Sequence, residues 1–309
     1  MHDESFSYPP ITPSAVRDYY EEFVQSLSGR RPETRDTYKR TLREFVKWYS
    51  AESGFSRAEV EQYKKHLVED KRLSAVSVSA YLTSLRQFCE YLVGRKLLPS
   101  NPARDVGGNG RPVAHSREVL TADAVEKLLA SIPCQDEIGS RDFAIAKLMV
   151  ECGLTEIEVI RSDVRDARMT GGANLLMVRG KGKDSKESVA LTEGAARSLQ
   201  SYLSFRGMSQ PEEPLFRSAG NRTRGMRMTT RGIRSRMNHY LETAGIKQGR
   251  ARRITPHSLR HTCAVMMADA GATPDEIRRR LRLGTLATAM LYVNRARRRT
   301  PETSTSPSS

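Results

Sequence analysis

The segment from Thr255 to Tyr292 contains the side chains that best suit chemistry at a phosphate. His257, Arg260 and His261 are three and four residues apart, so they are neighbours if this stretch is a helix. An arginine fork binds two phosphate oxygens at once, and histidine exchanges protons near neutral pH. A lone tyrosine follows about thirty residues later. The grouping predicts a phosphate-binding site.

Local signals place the two histidines and the arginine on one helix. Thr255 suits the N-cap, Pro256 suits the first helical position, and Gly271 suits the stop. A second capping pattern begins at Thr273, so Tyr292 lies about two short helices further on. We expect the three polar residues to lie off an apolar face made of Leu259, Cys263, Met266 and Ala270.

A metal site is the alternative interpretation of this helix. His257 and His261 have the spacing of two helical metal ligands. The glutamate of the metalloprotease pattern is absent, however, and Arg260 would lie beside the metal. We therefore favour the phosphate over a metal.

Composition points to a polyanionic partner. The 309-residue chain carries a formal net charge of +15, which a merely solubilising surface does not require. No apolar run approaches the roughly 18 residues of a membrane span, and the first residues do not resemble a signal peptide. We expect a cytoplasmic protein with no membrane partner. Its four scattered cysteines are predicted to be reduced core residues: Cys89, Cys134, Cys152 and Cys263.

Periodicity divides the chain into five segments, and the fold is predicted to be mainly α with a small β-sheet (α+β). Residues 1–12 are predicted to be a flexible arm and residues 13–102 a helical domain of about four helices. A linker rich in Pro and Gly is predicted over 103–118. The second domain is predicted over 119–296, followed by a disordered tail over 297–309.

Several basic residues are candidates for contacts with nucleic-acid phosphates. LLMV and SVAL are predicted to form a β-hairpin with Lys181 and Lys183 at its tip, although an exposed loop with lysines is a common feature. A later stretch, NRTRGMRMTTRGIRSR, has six arginines and no acid. For each single residue, a solvated helix face is an equally good explanation. The further candidates are Lys39, Arg43, Arg86, Arg231 and Arg234.

In their order, these motifs resemble those of the tyrosine recombinases, the phage-integrase and Xer-like enzymes of DNA strand exchange. TRDTYKRTLREFVKWYS through LLPSNPARDV resembles the family's helical, SAM-like core-binding domain. VLTADAVEKLL, RDFAIAKLMVECGL, the GKGK hairpin, TPHSLRHT and the closing Tyr292 resemble its catalytic domain. The resemblance covers nearly the whole chain and implies a C-shaped, two-domain clamp on double-stranded DNA.

The resemblance also implies a mechanism for DNA integration, excision or transposition. Tyr292 would attack a scissile phosphate and form a 3′-phosphotyrosyl link, with no metal or cofactor. Arg260 would clamp the phosphate oxygens, His257 would assist proton transfer, and Lys181 would protonate the leaving oxygen. The implied assembly is a tetramer on two DNA sites, monomeric or dimeric when free, with accessory recombination proteins as further partners. The supporting residues would be Glu158 and His261.

Two positions depart from the family pattern. Thr155, in GLTEIEV, stands where the family has arginine, and Leu283 stands where it has histidine or tryptophan in an LGH run. Losing one of two arginines at a transition-state phosphate costs about 10²–10³ in rate, by analogy with an oxyanion donor. These departures leave an alternative function, a recombinase-like DNA-binding accessory protein with little or no chemistry. The arginines that are candidates to compensate are Arg161, Arg253 and Arg282.

Overall fold

A computed structural model describes residues 11–50, 55–108, 118–169, 174–247 and 254–297. The chain divides into two compact units, residues 1–113 and 114–309. Within the described ranges, no helix is both long enough and apolar enough to cross a membrane. The predicted flexible arm lies outside these ranges up to residue 10, as does the predicted tail from residue 298 onward.

The first unit is helical, as its sequence periodicity predicts. Its core is rich in aromatic side chains, and the Phe45 ring packs 5.0 Å from that of Tyr63 and 5.1 Å from that of Phe55. These aromatic residues are buried in the core, so they are structural groups and are not available to stack on nucleic-acid bases. The helices are α1 (Pro13–Ser26), α2 (Pro32–Trp48), α3 (Arg57–Glu69) and α4 (Ala75–Gly94).

The edges of this unit differ from the predicted boundaries. Ile11, placed in the predicted arm, is buried, and its carbonyl accepts a hydrogen bond of 2.9 Å from the Tyr49 hydroxyl. Ala103 and Val106, placed in the predicted linker, are also buried in the core. Arg86 holds them there by donating to both of their carbonyls, at 3.0 and 2.8 Å. A Pro- and Gly-rich composition does not reveal such anchoring.

The second unit combines helices with one small antiparallel sheet in the order β1-β2-β3. Strands β2 (Leu175–Val178) and β3 (Glu187–Ala190) form the predicted hairpin, with Leu176 opposite Val189. The third strand, β1 (Ala167–Arg168), has only two residues and too little pattern to predict. The helices are α5 (Ala122–Ala130), α6 (Glu137–Glu151), α7 (Glu156–Ile160), α8 (Glu193–Arg206), α9 (Thr230–Thr243), α10 (Pro256–Asp269), α11 (Pro274–Leu281) and α12 (Leu286–Arg297).

Helix α10 is the predicted His/Arg helix, but its burial differs from the prediction. Residues 258–265 are all buried, including Arg260 and His261, so this part of the helix has no solvated face. Met266 and Ala270, assigned to the apolar face, are exposed near the end of the helix. Tertiary contacts from α6, α11 and α12 enclose the first half of the helix, which its own periodicity does not show.

The four cysteines are free thiols, as predicted. Cys89, Cys152 and Cys263 are buried, whereas Cys134 is exposed, so the prediction of a core position is wrong for Cys134. This residue lies in the loop between α5 and α6, after Pro133.

Candidate active site

The site is built around the carboxylate of Glu158, near the start of α7. Thr155 is the N-cap of this helix, and its backbone N–H and hydroxyl both donate to Glu158 Oε2, at 2.8 and 3.0 Å. Glu158 is buried. A buried carboxylate requires partners with positive charge or N–H groups, and the site provides both.

Arg260 reaches this carboxylate from α10. Its Nη1 lies 3.4 Å from Glu158 Oε2 and also donates to the Gly153 carbonyl. Its Nη2 donates to the Leu281 carbonyl at the end of α11. These bonds fix the guanidinium among three elements, which is the rigid mounting that recognition of a phosphate requires.

Arg282, which follows α11, binds the same carboxylate from another side. Its Nε donates to Glu158 Oε1 at 2.7 Å, and its Nη2 donates to Glu158 Oε2 at 2.9 Å. Nη2 also donates to the Gly153 carbonyl at 3.1 Å. The two arginines therefore share two acceptors, and Arg282 lies beside Thr155, the position where the expected arginine is absent.

The other two candidates to compensate for Thr155 behave differently. Arg161 donates from Nη1 to the Gly180 carbonyl at 2.9 Å, in the turn of the β2–β3 hairpin. Arg253 lies outside the described residues. Spacing alone could not separate the three arginines, because Arg282 and Glu158 are 124 positions apart in the chain and meet only in the folded structure.

Tyr292 lies on α12 and is buried in the second unit. The hydroxyl is 2.7 Å from Nδ1 of His261, and the two rings are 5.8 Å apart between centroids. The His261 ring in turn packs edge-on against His257, at 4.9 Å. Helix α10 thus carries Arg260 and the histidine that binds the tyrosine hydroxyl, so the predicted His/Arg/Tyr grouping is present in three dimensions.

His257 lies next to a second buried acid, Glu156, which was not identified from the sequence. Its Nδ1 is 3.7 Å from Glu156 Oε2, and Arg234 Nε on α9 is 3.1 Å from Glu156 Oε1. Burial raises the pKa of Glu156, but hydrogen bonds from His257 and Arg234 outweigh it and hold that pKa at about 2. Glu156 is therefore ionised and positions His257.

Electrostatics couples the arginines to the acid and to the tyrosine. Burial opposes ionisation of Glu158, but the hydrogen bonds and charge of Arg282 lower its pKa overall. Burial lowers the pKa of Arg260, and the positive charge of Arg282 acts in the same direction. Glu158 and the Tyr292 hydroxyl oppose that shift. Tyr292 therefore lies within the electrostatic reach of Arg260.

Lys181 lies exposed in the hairpin turn, which is held beside the site. Arg161 binds the carbonyl of the preceding residue, Gly180, and a Cβ added at Gly180 would lie 3.6 Å from Glu158 Oε1. The turn therefore passes close to Glu158, and the lysine side chain extends from it into solvent.

Leu283 provides no hydrogen-bonding group at the position where the family has histidine or tryptophan. It packs against an apolar cluster that includes Leu281, Ala289 and Tyr292. Within the described residues, no group of three or more His, Cys, Asp or Glu side chains is arranged to hold a metal ion.

The predicted phosphate-contacting residues occupy different environments. Arg43 and Arg231 are exposed, and Lys183 is exposed 3.6 Å from Glu187. Lys39 is half-buried, and Arg234 is exposed but paired with Glu156. Arg86 differs from the solvated placement expected of a phosphate contact, because its guanidinium binds two backbone carbonyls.

Comparison with known proteins identifies the family. The phage integrase family pattern matches residues 118–299, and the phage integrase N-terminal SAM-like domain pattern matches residues 18–98. This chain belongs to the phage integrase family. It is a tyrosine recombinase of the Xer and integrase type.

Individual relatives agree with this assignment. Tyrosine recombinase XerC of Yersinia pestis is 29% identical over 287 residues, which is 89% of each chain. Tyrosine recombinase XerC of Vibrio parahaemolyticus serotype O3:K6 is 30% identical over 282 residues, covering 88% of this chain and 86% of the relative. A crystal structure of the XerH site-specific recombinase bound to a palindromic difH substrate has the same fold, with a TM-score of 0.72 at 16% identity over 93% of this chain and 82% of that one.

These relatives favour a recombinase over the alternative of a recombinase-like accessory protein. They match both domains along the chain, in agreement with the resemblance seen in the motifs. The motifs predict Tyr292, Arg260, His257 and Lys181 as catalytic residues, and these roles stay predictions. Glu156 and Gly153 were not identified as site residues from the sequence. A single acid at the start of a helix and a single glycine are too common to form a recognisable motif.

Proposed function

We propose that this protein cleaves and rejoins DNA at specific sites through a covalent bond between Tyr292 and a 3′-phosphate. The observation that carries the proposal is the Tyr292 hydroxyl, which lies 2.7 Å from His261 Nδ1 on the helix that also carries Arg260. A nucleophile, a hydrogen-bonding partner and an anion-binding arginine are thus held by two packed helices.

In the proposed reaction, the Tyr292 oxygen attacks the scissile phosphorus and passes its proton to Nδ1 of His261, which lies 2.7 Å away. The bond from phosphorus to the 5′-oxygen breaks, and that oxygen takes up a proton from Lys181 in the exposed hairpin turn. Arg260 binds the non-bridging oxygens as their negative charge grows. In the reverse step, a 5′-hydroxyl of the partner strand gives its proton to Lys181 and attacks the phosphotyrosine, and the released Tyr292 oxygen takes its proton back from His261.

The supporting residues keep these groups in position. Glu158 holds Arg260, and Glu156 holds His257, which donates to or exchanges a proton with the same phosphate. The partner is double-stranded DNA, with four protomers on two sites during exchange and a monomer or dimer otherwise. The products are integrated, excised or transposed DNA. The net charge of +15 supports a polyanionic partner, and the phosphodiester bond energy is kept in the phosphotyrosine.

The test uses DNA selected by the protein itself. A random duplex library is selected for binding to the Tyr292→Phe variant, and the recovered sequence is then nicked at successive positions so that a cleaved end is lost. We expect the wild-type protein to form an SDS-resistant adduct with one of these duplexes, and Tyr292→Phe to bind it without forming one. The absence of an adduct, or equal adduct with Tyr292→Phe, would refute the proposal.

A further inference from the structure

We propose that Arg282 is the second phosphate-binding cation of this site and replaces the arginine that is absent at position 155. The inference rests on the proposed function, because it concerns the same scissile phosphate. It assigns a role in the reaction to Arg282, which lies outside the GLTEIEV segment in which the family has its arginine.

The first observation is the position of the guanidinium. Arg282 and Arg260 share the Gly153 carbonyl and Glu158 Oε2 as acceptors. Thr155 donates to that same Oε2, at 2.8 Å from its N–H and 3.0 Å from its hydroxyl. The Arg282 guanidinium therefore lies where the side chain of position 155 ends, next to Arg260.

The second observation is the charge balance. Arg260 and Arg282 carry two positive charges, whereas Glu158 supplies one negative charge, so the cluster has a net charge of +1. The three side chains are only 9%, 8% and 4% exposed, respectively. A net charge in so buried a cluster is unfavourable unless an ion of opposite sign binds. A phosphodiester, with one negative charge, restores neutrality.

The third observation is the remaining hydrogen-bonding capacity. A guanidinium has five N–H donors. Among the described residues, Arg282 makes four hydrogen bonds, which leaves one N–H on Nη1. Arg260 makes three, which leaves Nε and one N–H on Nη2. The pair thus keeps three donors for an anion after its own anchoring is complete.

The backbone at this position gives a fourth indication. Arg282 has φ +54° in the left-handed region after α11, where glycine is the residue without strain. In the family's LGH run, aligned back from Tyr292, the glycine falls at this position. An arginine that keeps the strained conformation gains two hydrogen bonds to Glu158 and two to the carbonyls of Gly153 and Arg280, and these four bonds offset the strain.

The decisive variant is Arg282→Gly, since glycine suits the left-handed backbone and removes only the side chain. Arg282→Lys keeps a charge but loses the planar fork. The matched control is Arg279→Ala on α11, whose side chain is 68% exposed and paired with Asp275 at 3.0 Å. Thermal unfolding and duplex binding of each variant are measured first. Arg279→Ala should resemble the wild-type protein, whereas Arg282→Gly should unfold at a lower temperature, because the buried Glu158 loses two hydrogen bonds. Adduct formation is therefore measured below the unfolding transition of every variant, at protein concentrations that saturate the duplex.

The reaction is then followed on two nicked duplexes of the selected sequence. One carries the ordinary phosphodiester, and the other carries a methylphosphonate, in which a methyl group replaces a charged non-bridging oxygen. On the phosphodiester we expect Arg282→Gly to form the adduct about 10²–10³ times more slowly than the wild type, and Arg282→Lys to recover only part of that loss. Arg279→Ala should stay within about twofold of the wild-type rate.

The neutral duplex separates a phosphate-binding role from a structural one. Without the negative charge there is less for Arg282 to neutralise, so the difference between wild type and Arg282→Gly should shrink to about tenfold or less. Equal rates on the phosphodiester, or an equal deficit on both duplexes, would overturn the inference. Failure of the wild-type protein to form any adduct would instead refute the proposed function.

Discussion

Glu156 and Glu158 are two helix positions apart and serve different partners. Glu158 binds the arginines, whereas Glu156 binds His257 and Arg234. Both are buried and ionised, because each is matched by cations from other elements. At the scale of single residues, the site is therefore an arrangement of ion pairs around the start of α7.

Replacing Glu156 with Gln should remove a stability term that depends on pH. The folded pKa of about 2 is below the ordinary value of 4.5, so the carboxylate stabilises the fold above pH 4.5 and this contribution is lost as pH falls through 2. We expect Glu156→Gln to lower the free energy of unfolding at pH 7, with an upper bound of about 3 kcal/mol from the pKa difference. The actual loss should be smaller than this bound, because solvent screens the charge of the largely exposed Arg234.

The measurement is urea unfolding followed by circular dichroism at several pH values. The difference between wild type and Glu156→Gln should decrease from pH 5 towards pH 2. Glu193→Gln is the control, because Glu193 is exposed and its ion pair with Arg197 lies on the surface of α8. A difference between wild type and Glu156→Gln that does not change with pH would contradict the assignment.

At the scale of elements, the turn between α6 and α7 organises the site. Gly153 has φ +63°, and a Cβ there would lie 3.2 Å from Leu281 Cγ and 3.4 Å from Cys263 Sγ. Only glycine fits both the conformation and the close packing of α10 and α11. The same turn directs the Gly153 carbonyl to Arg260 and Arg282.

Gly153→Ala should therefore affect both stability and cleavage. The left-handed backbone alone costs about 1–2 kcal/mol for alanine. Gly271→Ala is the matched control, because Gly271 has φ +84° and, in the part of the chain that the structure describes, its added Cβ meets no atom within 4 Å. We expect a larger loss of thermal stability for Gly153→Ala than for Gly271→Ala, and slower adduct formation only for Gly153→Ala. Equal effects of the two substitutions would show that the packing contact is unimportant.

At the scale of the whole molecule, the excess of basic residues sets how the protein should bind DNA. Contacts with phosphates release counterions, so affinity should fall steeply with salt. Arg43 and Arg86 lie in the same unit but in different environments. Arg43 is exposed, whereas Arg86 donates to two backbone carbonyls, so we expect different effects when each is replaced.

Arg43→Ala should weaken binding to the selected duplex and reduce the slope of log affinity against log salt by about 1, with unchanged thermal unfolding. Arg86→Ala should instead lower the stability of the first unit, because the carbonyls of Ala103 and Val106 lose their donor. Titrations at several salt concentrations, together with unfolding curves, distinguish the two effects. A salt slope unaffected by Arg43→Ala would remove this residue from the DNA contacts.

The sequence was sufficient for features that depend on neighbours along the chain. Helix caps, a hairpin of two apolar strands and the spacing of His257, Arg260 and Tyr292 are local patterns, and together they indicated the helical first domain, the small sheet and the family. These signals are strong because capping, strand alternation and helical spacing act over a few residues.

Only the tertiary structure decided which arginine stands beside Arg260. Arg161 and Arg282 are both within reach of Glu158 in principle, but one binds the hairpin and the other binds the carboxylate. That choice depends on how α10 and α11 pack against each other, and on a left-handed residue after α11, neither of which has a local sequence signal. Buried charge is balanced in three dimensions, because Coulomb interactions depend on distance in space and not on distance along the chain.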